Sequence, residues 1–192
     1  MLIPSDHQIR KLHERLAPTP EAFELVHTHC EIVSRIAEQL ITAGSLDVDV
    51  DLVRAGCLLH DIGVYRLTPG ENYLRHGLLG HEILHELGFP DALARFCSCH
   101  TGVGLTRDDI RRQNLPLPVA DYLAETEEET LVMYADKFHS KKSPPTFLTA
   151  DSYTRTVRRF GEDKVTRFQD LTDRFGEPDL APLAAAYGHH IG

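Results

Sequence analysis

A long helical periodicity near the N-terminus limits the folds open to this chain. Between residues 21 and 43, apolar side chains recur at three- and four-residue steps, and Gly44 follows as a C-terminal stop signal. No segment of the 192 residues shows sustained alternation of apolar and polar side chains, the pattern of a half-buried strand. The sequence therefore predicts an all-α fold.

Capping and turn signals predict the remaining helices. Ser5 with Gln8, and Thr126 with Glu129, have the spacing of a capping box. Glycine and proline turns end most of the other segments. The first predicted helix ends near residue 17, and the next span about residues 21–43, 48–59, 76–87 and 91–99. A short turn of helix follows at 106, then a helix from 126 to about 138, and further helices at about 150–160, 162–175 and 179–187.

Composition excludes several classes of function. The chain is 42% hydrophobic, has a formal net charge of −9, and lacks any run of about 18 apolar residues that could span a membrane. The acidic excess argues against binding to the phosphate backbone of a nucleic acid polymer. We therefore expect a cytoplasmic protein that binds a small molecule and can form a homodimer. The four cysteines are expected to be reduced thiols.

Histidine is the unusual component, with 12 residues in the chain. A metal ligand on a helix needs apolar neighbours three or four positions away if it is to point inward, and several histidines meet this condition or adjoin a glycine turn. Asp136 lies within an apolar helix, where an ionised carboxylate is costly unless it is paired or bound to a metal. The candidate ligands are His29, His60, Asp61, His76, His100 and Asp136.

The segments around these residues resemble the HD-domain superfamily of metal-dependent phosphohydrolases, and most of all its HDIG subgroup. They read HCEIVSRIA at 29–37, LLHDIG at 58–63, HGLLGHEIL at 76–84, CHTGVGL at 99–105 and YADK at 134–137. The stretch 76–105 is similar to the branch that includes bacterial symmetrical diadenosine tetraphosphate hydrolases. The resemblance implies an HD domain over residues 1–145 and a C-terminal helical extension, residues 146–192, packed on the same core.

The resemblance also implies a reaction and its ligands. It assigns one metal ion to His29, His60, Asp61 and Asp136, and a second to His76 and His100 with Asp61 as the bridge. His60 and Asp61 are then the catalytic pair. The mixed imidazole and carboxylate ligands favour Fe or Mn, with Mg, Co, Ni and Zn as further candidates. A metal-bound hydroxide is expected to attack a small phosphate ester or anhydride, with a nucleotide as the favoured substrate.

One position departs from the HDIG pattern. The subgroup commonly has a lysine directly after the glycine, and this chain has Val64 there. A lysine at that position is suited to binding a substrate phosphate. The candidates for this role are Arg66, Arg75 and Lys137, with Arg107 as a further one.

Two other interpretations compete with the phosphohydrolase. One is a non-catalytic, nucleotide-sensing HD module, because one fold hosts many functions. The other is a zinc peptidase, since His81, Glu82 and His85 match HExxH, and Gly88 and Asp91 extend the match to a pattern with aspartate as third ligand. We expect the peptidase less, because the short motif arises by chance and both histidines are predicted to face outward.

The other histidines and the Cys97–Cys99 pair are expected to have ordinary roles. His27 is predicted to be partly exposed, and a solvated side chain is expected for five more histidines near termini or loop edges. Cys97 and Cys99 are predicted to be buried thiols, because no second cysteine pair exists to complete a zinc site. The five histidines are His7, His13, His139, His189 and His190.

Overall fold

The computed structural model describes residues 2–192 and confirms the predicted all-α fold class. Ten α-helices lie in the described part of the chain, joined by short 3-10 segments and loops. The helices are α1 (Asp6–Leu16), α2 (Pro20–Gly44), α3 (Val50–Leu59), α4 (His76–Glu86), α5 (Asp91–Cys99), α6 (Arg107–Arg112), α7 (Glu127–Ala135), α8 (Ala150–Val157), α9 (Glu162–Phe175) and α10 (Leu180–Tyr187). None of the helices described is long and apolar enough to cross a membrane.

The predicted capping boxes differ in outcome. At α1, Ser5 accepts from the backbone N–H of Gln8, and the Gln8 side chain accepts from that of Ser5, so this box is complete. At α7, Thr126 accepts from the backbone N–H of Glu129, but the Glu129 carboxylate accepts instead from the N–H of Glu125 and from Arg95. The second box was therefore only half right, because a tertiary ion pair takes up the glutamate.

A small sheet was not predicted from the sequence. It consists of β1 (His139–Ser140), β2 (Thr146–Phe147) and β3 (His190–Ile191). The first two strands pair antiparallel, and the last two pair parallel. Strands of two residues are too short to show a period-two pattern. The pairing brings the C-terminal residues next to the segment that follows α7.

Two clusters of buried apolar side chains form the core. The larger one joins α2 and α7 to the C-terminal helices and includes Phe168, Phe175 and Leu180. The second joins α1, the first half of α2, α3, α4 and α5. Residues after position 145 therefore contribute to the same core as the helices before them. Burial of their apolar side chains removes apolar surface from water and stabilises the fold.

Gly63, Gly77 and Gly80 allow α4 to lie unusually close to its neighbours; a Cβ added at Gly80 would be 2.9 Å from the Cβ of Cys97. A Cβ added at Gly63 would be 2.0 Å from the carbonyl oxygen of His76 and 2.2 Å from the backbone nitrogen of Gly80. A Cβ at Gly77 would be 2.6 Å from the carbonyl oxygen of Cys97 in α5. The missing side chains let the turn after α3, the start of α4 and the end of α5 meet backbone to backbone.

Candidate metal centre

The six candidate ligands converge from five parts of the chain, and most of them lie at helix ends. His29 lies in the middle of α2, while Asp61 follows the last turn of α3. The others cap or begin a helix: His60 at the end of α3, His76 at the start of α4, His100 at the end of α5 and Asp136 at the end of α7. Five of them line a cavity of about 460 Å³, and His60 is fully buried behind it.

The carboxylate of Asp61 lies between two groups of imidazoles. Its Oδ2 is 3.2 Å from His29 Nε2 and 3.5 Å from His60 Nε2. Its Oδ1 is 3.2 Å from His76 Nε2 and 3.6 Å from His100 Nε2. Asp136 Oδ1 completes the first group at 3.0 Å from His29 Nε2.

Backbone carbonyls fix the tautomers of three of these histidines. A carbonyl oxygen only accepts hydrogen bonds, so a ring nitrogen bonded to it must donate its proton. His60, His76 and His100 each donate from Nδ1 in this way, so Nε2 is the nitrogen that each ring can offer to a metal ion, and it is directed at the centre. The three acceptors are the carbonyl oxygens of Cys57, Tyr73 and Phe96, at 2.7, 2.6 and 3.0 Å, respectively.

The geometry of the second group fits a cation. The Nε2 atoms of His76 and His100 are 2.9 Å apart, and with both rings protonated on Nδ1 neither Nε2 can donate to the other. Asp61 Oδ1 is buried beside them and has no hydrogen-bond partner in the described residues. Two lone pairs and an unsatisfied carboxylate oxygen are the donor set that a divalent metal ion would complete.

Two ionised aspartates carry the negative charge of the site, and a lysine lies beside each of them. Burial would raise the pKa of Asp61, but the nearby Lys141 ammonium and His60 hold that pKa well below its usual range. Burial opposes ionisation of Asp136 too, and Lys137 and the histidines keep its pKa low. Burial lowers the pKa of His100 to about 4, so this ring is neutral at physiological pH. Ionised carboxylates and a neutral imidazole are the protonation states that metal ligation needs.

A chain of histidines extends outward from His29. Its Nδ1 is 2.8 Å from Nδ1 of His139, and Nε2 of His139 is 3.1 Å from Nδ1 of His189. If the His29 lone pair lies on Nε2, its Nδ1–H donates to His139, which in turn donates to His189. The prediction that His139 is solvated was wrong, because the small sheet covers this side chain and leaves it 5% exposed. Burial, with His29 and His189 nearby, lowers the pKa of His139 to about 2.

The predicted phosphate-binding arginines lie outside the cavity. Arg66 forms an ion pair with Glu86 at 2.6 Å, and Arg75 forms one with Glu71 at 2.7 Å. Neither arginine is among the residues that line the cavity. Arg107, the further candidate, is 2.7 Å from Asp121 on the surface. Glu86 and Asp121 are 20 and 14 positions from Arg66 and Arg107, so no local pattern indicates these two pairs, whereas Glu71 is four positions from Arg75.

Lysines take the place of these arginines at the cavity. Lys137 lines it, but its Nζ donates to the carbonyl oxygen of His100 and to Asp136, both at 2.7 Å. Lys141, which was not predicted, lines the cavity and contacts Asp61 Oδ2 through its ammonium group. Val64, where the HDIG subgroup commonly has lysine, also faces this cavity. No local pattern marks Lys141, because a loop brings it to Asp61 from 80 positions away in sequence.

Two further histidines were predicted to be more exposed than they are. His13 is fully buried, with Nε2 at 2.7 Å from the carbonyl oxygen of Leu58 and Nδ1 at 2.8 Å from the Tyr65 hydroxyl. His27 is also buried, and its ring is stacked on that of Phe23. Both lie where α1 packs on α2 and α3, and these tertiary contacts override the local pattern. All four cysteines are free and buried, as predicted.

Comparison with protein families identifies the class to which this fold and centre belong. A model of the HD domain matches residues 26–141, which is more than half of the chain. The chain therefore belongs to the HD domain family, as its motifs predicted. The match contains all six candidate ligands.

Curated relatives match part of this chain. One is an uncharacterized protein of Methanocaldococcus jannaschii, 46% identical over 116 residues that cover 59% of this chain and 65% of the relative. Two are named tRNA (cytidine(56)-2'-O)-methyltransferase. The one from Picrophilus torridus is 39% identical and is matched over 62% of this chain and 33% of its own length. The one from Thermoplasma volcanium is 31% identical over 163 residues, which cover 85% of this chain and 40% of that relative. The chain thus spans less than two thirds of each relative.

Solved structures share the fold. The HD domain of the phosphodiesterase PgpH from L. monocytogenes superposes with a TM-score of 0.54 at 19% identity, covering 95% of this chain and all of that one. A structure of the same domain in complex with cyclic-di-AMP gives a TM-score of 0.54 at 20% identity, covering 96% and 99% of the two chains.

Proposed function

We propose that this HD domain is a metal-dependent phosphohydrolase that acts on a small phosphate ester or anhydride, with a nucleotide as the favoured substrate. The observation that carries the proposal is the buried Asp61 carboxylate, which has one oxygen facing each of two imidazole groups. Membership of the HD domain family supports the same reaction class. We include in the proposal the cytoplasmic location and the capacity to form a homodimer.

We propose that His29, His60, Asp61 and Asp136 would hold one divalent metal ion, and His76 and His100 a second, with Asp61 shared. The mixed nitrogen and oxygen ligands favour Fe or Mn. Bound there, the ions would provide a nucleophile at neutral pH and neutralise charge on a phosphate group. The chain's own contribution is to hold the ligands in place, through the Nδ1–H bonds of the histidines to backbone carbonyls.

The cavity is suited to a nucleotide in size and lining. About 460 Å³ falls within the range of small-molecule sites. Its walls combine the polar centre with the aromatic rings of Tyr73 and Tyr153 and with aliphatic side chains such as Leu148. A base can pack against such walls while the phosphate of the same nucleotide lies at the metal centre. The HD domain of PgpH in complex with cyclic-di-AMP supports a nucleotide ligand for this fold.

Lys141 is the residue that we propose binds the substrate phosphate. It lines the cavity and contacts Asp61, and Val64, which replaces the lysine that the HDIG subgroup commonly has, lines the same cavity. Its side chain is 16% exposed, so the ammonium group is largely shielded from solvent and its attraction to an anion is screened little. From this position Nζ can donate to a phosphate oxygen held at the centre.

Replacing Lys141 by methionine is expected to lower kcat/KM by about 10- to 100-fold, because a charge-assisted hydrogen bond to phosphate is lost. Steady-state kinetics on the best substrate would measure this effect, and metal content should stay at the wild-type level. Arg66→Met is the matched control, since it removes a cation that is paired outside the cavity. Equal losses in the two variants would contradict the assignment.

Replacing His139 by alanine is expected to weaken metal binding about 10- to 100-fold, because His29 loses the partner that holds its ring in place. Chelator competition on the intact protein would measure the change. His190→Ala is the control, since this histidine belongs to the same small sheet but has an exposed side chain. An unchanged affinity in the His139 variant would show that the histidine chain does not support the centre.

The direct test of the proposal is hydrolysis. Protein loaded with Mn²⁺ or Fe²⁺ would be incubated with mono-, di- and cyclic nucleotides and with dinucleoside polyphosphates, and the products separated by chromatography. We expect turnover of at least one compound, and loss of that turnover in Asp61→Asn. Binding of a nucleotide without turnover under these conditions would favour the nucleotide-sensing module and contradict the proposed activity.

A further inference from the structure

A second group of ligand-type side chains lies on the outside of the α4–α5 hairpin, apart from the cavity. His85 Nε2 is 3.1 Å from Asp91 Oδ1, and His81 Nε2 is 3.5 Å from the same oxygen. One ligand atom from each of the three residues lies within 4.8 Å of the other two. None of the three belongs to the six ligands of the metal centre.

The local fold explains how these residues meet. His81 and His85 are four positions apart on α4, so they share a face, and their ring centroids are 4.7 Å apart. Gly88 adopts a φ of +78°, a left-handed conformation that glycine reaches without steric cost, and it reverses the chain after α4. Asp91 is then the first residue of α5 and returns to the last turns of α4.

One of the histidines is already oriented for ligation. The Ser98 hydroxyl donates to the carbonyl oxygen of Arg95, so Ser98 Oγ can accept from Nδ1–H of His81, 3.2 Å away. This hydrogen bond leaves the lone pair of His81 on Nε2, the atom that faces Asp91. In the metal centre, a backbone carbonyl accepts from Nδ1 of each of three histidines; here the Ser98 hydroxyl accepts from Nδ1 of His81 in the same way.

We propose that His81, His85 and Asp91 form a peripheral site for a borderline divalent cation such as Zn²⁺. Two imidazole nitrogens and one carboxylate oxygen are a ligand set that zinc accepts, with water in the remaining position. The side chains are 25%, 49% and 61% exposed, so a hydrated ion can enter without a change in the fold. Glu82, which would be the general base if the HExxH motif belonged to a peptidase, is solvent-exposed. We do not assign peptidase activity to the site.

The site lies at the closed end of a hairpin whose other end belongs to the metal centre. His76 begins α4 and His100 follows α5, whereas His85 and Asp91 lie beside the turn that joins the two helices. An ion bound at the turn would cross-link α4 to α5 through coordinate bonds to its ligands. Because the ion binds the folded protein and not the unfolded chain, it is expected to raise the thermal stability.

Zinc binding to the whole protein tests the proposal. Zn²⁺ would be titrated in competition with a chromogenic chelator, and the number of bound ions compared between wild type, His85→Gln, Asp91→Asn and Glu82→Gln. We expect both ligand variants to bind one ion fewer per chain than wild type, and Glu82→Gln to match wild type. The wild-type Tm should rise by about 3 °C or more at a tenfold excess of Zn²⁺ over Kd, and this rise should shrink in both ligand variants.

A variant of the metal centre separates the two sites. In an Asp61→Asn background, His85→Gln should still remove one ion, because the peripheral ligands do not depend on the centre. Equal stoichiometry in wild type and His85→Gln would overturn the proposal. Loss of the ion in Glu82→Gln would also overturn it, since the assigned ligand set does not include that carboxylate.

Discussion

Asparagine in place of Asp61 is expected to abolish phosphate hydrolysis, with a loss of about 10³-fold or more in kcat. The substitution keeps the shape of the side chain but removes the charge of the one carboxylate that faces both imidazole groups. Metal ions contribute several kcal/mol of charge stabilisation in such reactions, and each 1.4 kcal/mol, roughly, is tenfold in rate. Elemental analysis should show about two Fe or Mn ions per wild-type chain and a clear loss in the variant.

Asp109→Asn is the matched control for this experiment. Asp109 is also a buried aspartate in contact with a lysine, Lys164 at 2.6 Å, but it lies outside the cavity. We expect this variant to be less stable yet to keep its metal content and its kcat. If Asp61→Asn retained both ions and its turnover, the shared carboxylate would not be a ligand, and the proposed arrangement of two ions around Asp61 would be wrong.

The helices and the ligand positions could be predicted because their signals are local. The periodicity of residues 21–43 gave α2 almost to the residue, and the short strings around His60, His76 and His100 pointed to the residues that the structure brings together. Each of these histidines is placed by its own helix end. Such a placement depends on a few neighbouring residues, which a single sequence displays.

Contacts between distant parts of the chain could not be predicted in this way. Lys141 reaches Asp61 through a loop, and His139 is buried by a sheet whose third strand is formed at the C-terminus. Arg66 had the right charge, but Glu86, 20 positions away in sequence, holds it outside the cavity. In each case the outcome depends on tertiary packing, for which neither propensity nor spacing gives a signal.

Alanine in place of Gly63 is expected to destabilise the protein by about 3 kcal/mol or more, because backbone atoms fill the space that a Cβ would need. The added atom would lie 2.0 Å from the carbonyl oxygen of His76, whereas ordinary contacts are 3.4–4 Å. No side chain can rotate away, so α4 as a whole would have to move. Thermal unfolding should show a Tm lower by roughly 6–12 °C.

The same displacement should weaken the metal centre, since His76 begins the helix that would be pushed away from Asp61. A misplacement of about 1 Å at a catalytic site can cost roughly 10²-fold in rate, so activity per folded molecule should fall along with stability.

Gly44→Ala is the control: Gly44 is the exposed last residue of α2, and its Cβ would meet only the flexible Leu46 side chain. Alanine favours helix there, so stability should change by less than about 0.5 kcal/mol. Equal stability of the two variants would mean that the contact between Gly63 and α4 is looser than the structure describes, and that close backbone packing is not what holds His76 beside Asp61.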